Sequence, residues 1–454
     1  MRDISQVGNV VSGLLPIAAI EEMEALDSLQ FARPSYALPS AGSVNSQGDA
    51  AIRADAARAL FGVDGCPAGS EPGCTPGGTA ANIIVDDVLY FAEPMFQDGI
   101  IAQAVDAVAA PGVSYFSSAG NQARKSYEAD FSPAGSGFTG TLHDFDPGPG
   151  AETCQTITIP TGTTFFSFQW TEPYFSIRGA PGSASDLDLG LFLDAGGCAP
   201  SSFTGLGGLD FNVGGDPVEV FGVANSGPPI AVGLQISHSA GPFPERLKYV
   251  VFSRATFSID EFDTASSTIY GHANAVGAEA VGAAFYGHTP AFGTAPPLLE
   301  WFSSAGSTPI FFDTGGLPLP TSDLRQKPAV VAPDGASTTF GNFFGTSAAA
   351  PHAAGVAALM LEAAGPLTPA VVYAALEDTA IDMDDPATAG FDVGFDFGTG
   401  FGLIDAARAV AEVVPPPSMK SAEGPKSVKS TKGLKSTKRA KSVKGTKKGK
   451  VHRP

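Results

Sequence analysis

Cysteine, tryptophan and charge are all scarce in this chain. It holds 4 Cys and 2 Trp in 454 residues, and only 16% of its residues are charged. With 43% hydrophobic residues beside that low charge, a largely disordered chain is excluded. No uninterrupted apolar run reaches membrane-spanning length, which argues against a membrane span. No CxxC pair is present, so the usual spacing of a zinc site is missing. A secretory signal is also missing. Val7 to Ile20 is fairly apolar, but Asn9 and Pro16 interrupt it, Glu21 and Glu22 follow, and no basic stretch precedes it.

Basic residues are scarce everywhere but at the end. The chain carries 26 basic and 46 acidic residues, a net charge of −20. Residues 419–454 hold 13 of the basic residues and one acid, so the rest of the chain stands at −32. Such a body does not offer a nucleic-acid surface, and only the tail is suited to polyanions. The four cysteines fall in two local pairs. Cys66 and Cys74 sit in a Gly/Pro-rich loop, while Cys154 and Cys198 sit among strands. Two pairs suit two disulfides and an oxidising compartment, and four unpaired thiols are the alternative.

What is abundant is Gly (55) and Pro (37), which favours loops and strands over long helical bundles. The length suits two or three domains, or one large core with an insertion. Val10-Val11, Ile17–Leu26 and Leu29–Ala32 read as strand, helix and strand. Pro39–Gly48 reads as a linker and Ala50–Leu60 as a helix. Ile83–Tyr90, Asp98–Ala109 and Val113–Ser118 form a strand–helix–strand unit, which implies a parallel sheet. Residues 125–263 differ: short alternating segments separated by Gly, Pro and Asp turns. Thr156–Ile159, Thr164–Trp170, Leu187–Leu193, Val218–Val223, Ile230–Ile236 and Lys248–Phe252 give the pattern of a β-sandwich. Core-like pattern resumes at Ala280–Phe285, with a strand at Ala329–Ala332, a helix at Ser347–Glu362, and helix caps at Thr368 and Asp405.

The sharpest string is Gly345-Thr346-Ser347-Ala348-Ala349-Ala350-Pro351-His352, which starts a helix with a serine. Free N–H groups and the helix dipole favour negative charge there. A second string, Ser117-Ser118-Ala119-Gly120-Asn121, ends a parallel strand, where such sheets bind ligands. The first string resembles the serine motif of the subtilisin-like serine peptidases, the subtilases. The second resembles the segment whose asparagine donates to the oxyanion in that family. Phe302-Ser303-Ser304, Lys327–Pro333 and Gly400–Asp405 fall in the family's order, and the resemblance covers residues 9–65, 82–122 and 264–412.

The resemblance implies an α/β fold, a subtilisin-like parallel-sheet core with an inserted antiparallel β-sandwich and a disordered basic tail. It divides the chain into a propeptide remnant and linker (1–45), a first core part (46–124), the sandwich (125–263), a second core part with the serine motif (264–414) and the tail (415–454). It implies Ser347 as the nucleophile and Asn121 in the oxyanion hole. It also implies a protein or peptide substrate, no required cofactor, a monomer, and an extracellular or secretory location. Asp186 and Asp188 alternate with leucines, so both face one side of their strand. That placement suits Ca²⁺, or simply the wet face of a strand.

One departure from the family governs the functional reading. Subtilases carry a catalytic Asp in a D-[ST]-G context and a His in H-G-T, and neither motif is present. Residues 66–81 are 16 loop-type positions, too few for two strands and their connections, so a core segment is absent. Among possible substitutes, Asp64 lacks a preceding apolar strand, and Asp86 and Asp87 read as a solvated strand end. His272 and His288 read as loop or surface histidines, and His352 points away from the Ser347 hydroxyl. A serine without a base is a poor nucleophile, so the chain reads as a very poor peptidase. The competing readings are a pseudopeptidase that binds extended peptides and a surface-binding protein acting through sandwich and tail.

In the tail, lysine recurs every third residue from Lys426 to Lys447. That period fits neither a helix face nor a strand face, so the segment is expected to be disordered and to bind polyanions. Deleting residues 419–454 is expected to abolish retention on a polyanion column. Retention that survives the deletion would contradict this reading.

Overall fold

The architecture was obtained as a computed structural model, which describes residues 2–7, 10–14, 46–63, 81–339 and 341–414. The helix expected at Ile17–Leu26, the strand at Leu29–Ala32, Asp64, Cys66, Cys74, the rest of the 66–81 loop up to residue 80 and the tail lie outside the described residues. Among the described residues no single helix is long and apolar enough to cross a membrane.

Near the start of the chain, β1 (Arg2–Val7) and β2 (Val10–Leu14) pair as an antiparallel hairpin. Helix α1 (Gln47–Ala51) follows, capped by the Ser46 hydroxyl, which accepts from Gly48 N–H. Thus Gln47 and Gly48, read above as linker, are helical. Helix α2 (Ala54–Phe61) is separate because Arg53 takes a left-handed conformation.

The strand–helix–strand unit is β3 (Ile83–Asp86), α3 (Ile100–Ala109) and β4 (Ser114–Ser118). Alternating apolar residues fit one strand face, and α3 buries Ala102 and Val105. Strands β5 (Ala278–Phe285) and β6 (Val330–Asp334) extend the unit into a four-stranded parallel sheet, in the order β6-β5-β4-β3. The register places Asp86 beside Ser117, Ser118 beside Val281, and Phe285 beside Asp334. One rim of this sheet therefore gathers the ends of all four strands.

Helix α4 (Thr346–Ala364) lies across all four strands. Alanines (Ala349, Ala350, Ala353, Ala357) make up much of its buried face, beside Val356, Leu359 and Met360, and the same core holds Ala283, Ala284 and Ala332 of the sheet. Small side chains on both surfaces bring helix and sheet close together. α5 (Pro369–Asp378) and α6 (Ala406–Val413) complete this core. Asp405 caps α6 through its side chain, whereas Thr368 stands at the start of α5 without a capping side-chain bond.

Between β4 and β5 the chain forms two antiparallel sheets packed face to face. One runs in the order 218–225, 162–170, 246–253, 126–130. The other is built on 203–208, 186–192, 230–240, 141–143 and 133–136, with 155–159 also paired to 230–240. Phe166, Phe168, Trp170 and Tyr249 from one sheet meet Ile157, Leu187, Leu189 and Leu234 from the other. All six strands read from the sequence are present. Asp186 and Asp188 are not on a wet face: they are 5% and 4% exposed. The 186–192 strand is central and covered on both faces, so alternation does not separate inside from outside there. Asp186 accepts from Asn212 N–H and the Ser239 hydroxyl. Among the described residues no group of three or more His, Cys, Asp or Glu is set to hold a metal ion.

Cys154 and Cys198 form a disulfide with Cα atoms 5.6 Å apart, closing a 44-residue separation beside Phe192. Loop-closure entropy for that separation is about 4 kcal/mol. The double variant Cys154→Ala, Cys198→Ala is expected to lose roughly 2–4 kcal/mol in urea unfolding. An unchanged midpoint would contradict this assignment.

Candidate active site

The serine motif follows β6 after a short antiparallel hairpin, 336–338 paired with 341–343. Gly345 sits at φ +112°, a conformation that disfavours side chains, and turns the chain into α4. Ser347 is the second residue of α4, where helix N–H groups have no intrahelical partner. Pro351 lies inside the helix, in its second turn, and faces solvent.

Thr346 joins the two motifs. Its N–H and its hydroxyl both donate to Asn121 Oδ1, at 3.0 and 3.2 Å. Its hydroxyl accepts from Gly120 N–H at 3.1 Å. Holding Oδ1 this way fixes the amide plane and leaves Asn121 Nδ2 to donate elsewhere. A Cβ added at Gly345 would stand 3.3 Å from Asn121 Nδ2 and 3.6 Å from Ser347 Oγ. A hydroxyl and an amide donor therefore flank the same small residue. The Phe302–Ser304 segment supports them from beneath. Ser304 Oγ accepts from Gln122 N–H, and Ser304 N–H donates to the Gly120 carbonyl.

Ser347 and Asn121 open into one cavity of about 220 Å³, also lined by Asp87, Leu89, Tyr270 and His272. A larger groove, of about 650 Å³ between Glu128, Arg246 and Phe311, lies apart from both motifs. The cavity brings Ser347 and Asn121 together, with Asp87 and His272 in the same lining; Asp87 accepts from the Ser118 hydroxyl. Among the described residues Ser347 Oγ makes no hydrogen bond to a histidine or carboxylate. His352 Nδ1 bonds the Ala348 carbonyl and its Nε2 bonds Ser46 Oγ, so it ties α4 to α1. Burial holds its pKa below the ordinary value. His288 is exposed, as expected.

His272 is not a surface histidine. It is 3% exposed and clamped between two carboxylates. Its Nδ1 lies 2.8 Å from Glu93 Oε1, and its N–H donates to Glu93 Oε2 at 2.6 Å. Its Nε2 lies 3.3 Å from Asp86 Oδ2, close enough for an ion pair although too poorly aligned for a hydrogen bond. Asp86 is no solvated strand end either, since it also accepts from the Tyr115 and Ser117 hydroxyls. Burial opposes charge on His272, but Asp86 and Glu93 outweigh it and raise the pKa to about 10. Burial likewise opposes charge on Asp86, and His272, Tyr115 and Ser117 lower its pKa nonetheless. At neutral pH His272 is thus a cation with both nitrogens protonated, and it has no lone pair to accept the Ser347 proton.

This geometry sets a helix-start hydroxyl beside an oriented amide donor in one cavity. Residues 262–402 match the model of the subtilase family. No curated protein matches the chain. Solved structures were also compared. The Clostridium perfringens CspB protease is 12% identical, with a TM-score of 0.43, covering 72% of this chain and 65% of that one. MycP1 without its N-terminal propeptide is 19% identical, with a TM-score of 0.20, covering 31% of this chain and 38% of that one. MycP1 from the ESX-1 type VII secretion system is 20% identical, with a TM-score of 0.19 and 30% coverage of each chain. The chain thus spans less than two thirds of the length of each. At these scores the solved structures carry no argument, and the likeness stands on the family match over residues 262–402.

The clamp predicts a definite pH dependence. Because the folded pKa of His272 lies above its unfolded value, its contribution is complete below about pH 6.5 and is lost as pH rises toward about 10. The imidazole should remain protonated at pH 8 by NMR. His272→Ala, which strands two carboxylates, should cost roughly 3–5 kcal/mol. A neutral imidazole at pH 7 would contradict the clamp.

Proposed function

We propose that this chain is a subtilisin-like serine endopeptidase scaffold that binds an extended protein or peptide segment and is catalytically impaired. The observation that carries the reading is the Thr346 bridge, which sets Asn121 Nδ2 and Ser347 Oγ around Gly345. A substrate carbonyl placed there would meet the nucleophile on one side. Its developing oxyanion would meet Asn121 Nδ2 and the Ser347 N–H on the other, and one such side-chain donor is worth roughly 3–4 kcal/mol in subtilisin itself.

The proton step sets the limit. Acylation requires the Ser347 proton to leave as the C–O bond forms, and general-base help is worth roughly 10²–10⁴ in rate. His272 is already protonated and His352 is turned into the fold. Binding and the oxyanion hole alone leave about 10³–10⁴ over water, which is inactivity on the scale of a peptide bond. The absent base favours, as a second reading, a pseudopeptidase that holds peptides without cutting them. The Cys154–Cys198 disulfide supports an oxidising, extracellular or secretory setting.

A peptidyl boronate, which bonds serine without needing turnover, separates these outcomes. It is expected to bind reversibly to the chain and to lose affinity in Ser347→Ala. Fluorophosphonate labelling of Ser347 should run at least roughly 10²-fold slower than in an intact subtilase. Labelling at an intact enzyme's rate would refute the impairment, and boronate binding indifferent to Ser347→Ala would refute the site.

A further inference from the structure

The cavity beside Ser347 holds a carboxylate that the Ser347–Asn121 arrangement does not use. Asp87 follows β3 and stands exposed in the same lining as Ser347 and Asn121. The Ser118 hydroxyl donates to its Oδ1 at 2.9 Å, which ties it to the end of β4. Among the described residues no lysine, arginine or histidine pairs with Asp87, and its Oδ2 receives no hydrogen bond. The other charges of the cavity do not offset it. His272 lines the cavity too, but its two nitrogens face Glu93 and Asp86, so that assembly of one cation and two carboxylates is itself net negative. No lysine or arginine is in the lining. The nearest along the chain are engaged elsewhere: Arg124 pairs with Asp385, and Lys125 Nζ lies over the Trp301 ring. A cleft lined by charge of one sign concentrates the opposite charge.

Size and lining narrow the occupant. At about 220 Å³ the cavity is smaller than the roughly 300–1,000 Å³ of small-molecule sites, and it suits a single side chain. Val88, Leu89, Tyr270 and Ala273 give it apolar walls beside the Asp87 carboxylate. Lysine and arginine match such a lining, because their aliphatic stems pack on apolar surface while the charged head keeps a polar partner. We propose that Asp87 selects a lysine or arginine side chain here, on the substrate residue whose carbonyl lies between Ser347 and Asn121. A residue that presents its carbonyl to those two groups sets its side chain in the cavity that Asp87 lines. An acidic side chain in the same place would meet carboxylates and no free cation. The assignment of this cation to a substrate rests on the proposed roles of Ser347 and Asn121, whereas the cation site itself does not.

Peptidyl boronates read the selection without turnover: Ser347 Oγ adds to boron and its proton leaves to solvent. Three would be compared on the full chain, with an arginine, a norleucine or a glutamate side chain on the boron-bearing residue. The arginine probe should bind at least about tenfold tighter than the norleucine probe, and the glutamate probe more weakly than both. Asp87→Asn should bring arginine and norleucine to within about threefold of each other, and Asp87→Lys should favour glutamate. Asp260→Asn, an equal change of charge on an exposed residue of the sandwich, should leave the preference as it was. Benzamidinium, a small cation that forms no bond to serine, reads the cation site alone. By calorimetry it should bind the native chain and Ser347→Ala, and bind Asp87→Asn at least about tenfold more weakly. Ser347-dependent boronate binding with no preference for arginine, or a preference that survives Asp87→Asn, would overturn the role of Asp87 and leave the Ser347 reading standing. Benzamidinium binding that depends on Asp87, without Ser347-dependent boronate binding, would sink the Ser347 reading and leave the cation site. Failure of both probes to bind would overturn both.

Discussion

The carboxylate–imidazolium–carboxylate clamp on His272 holds three separate parts of the chain together. Asp86 ends β3, Glu93 lies in the segment after it, and His272 lies just beyond the sandwich. The sandwich itself places Glu93. Gln169 accepts from Met95 N–H and donates to the Glu93 carbonyl, and the Ser167 hydroxyl donates to the Phe91 carbonyl. Phe91 stacks on Phe165 and packs against Phe252 of the same sheet. The insertion is therefore a buttress for one wall of the cleft. Removing the cation would strand two acids in that wall.

The opposite wall depends on hydrogen bonds. Thr346 orients Asn121, Ser304 supports Gly120 and Gln122, and Asp334 anchors Gly345. On the proposed reading, these are the contacts that would place Asn121 and Ser347 around a substrate carbonyl. β3 is the edge of the parallel sheet among the described residues, and Val85, Val88, Leu89 and Tyr90 beside it are exposed.

Much of this is legible in the sequence, for identifiable reasons. The Gly345–His352 string marks its helix because small residues, a turn glycine and a serine have few other uses in that order. The sandwich strands at 164–170 and 218–223 are legible because apolar residues alternate with polar ones in the sequence, although Ser167 and Gln169 on the second face are buried too, against the segment from Phe91 to Met95. Segments 126–130, 133–136 and 141–143 leave no such mark, since short strands rich in Gly, Ser and Asp resemble loops. His272 is hidden for another reason. Its partners lie 179 and 186 residues earlier, and local pattern carries no trace of such a pairing. The burial of Asp186 and Asp188 is hidden likewise by a second layer that only the fold supplies.

If the cleft is complete apart from a base, an added base should restore its chemistry. Chemical rescue addresses that directly. Acylation by an activated peptide ester would be followed in the native chain and in Ser347→Ala as imidazole is added. Imidazole should accelerate acylation of the native chain by at least about tenfold and leave Ser347→Ala unchanged. No acceleration, or an equal one in Ser347→Ala, would contradict a preorganised nucleophile and oxyanion site.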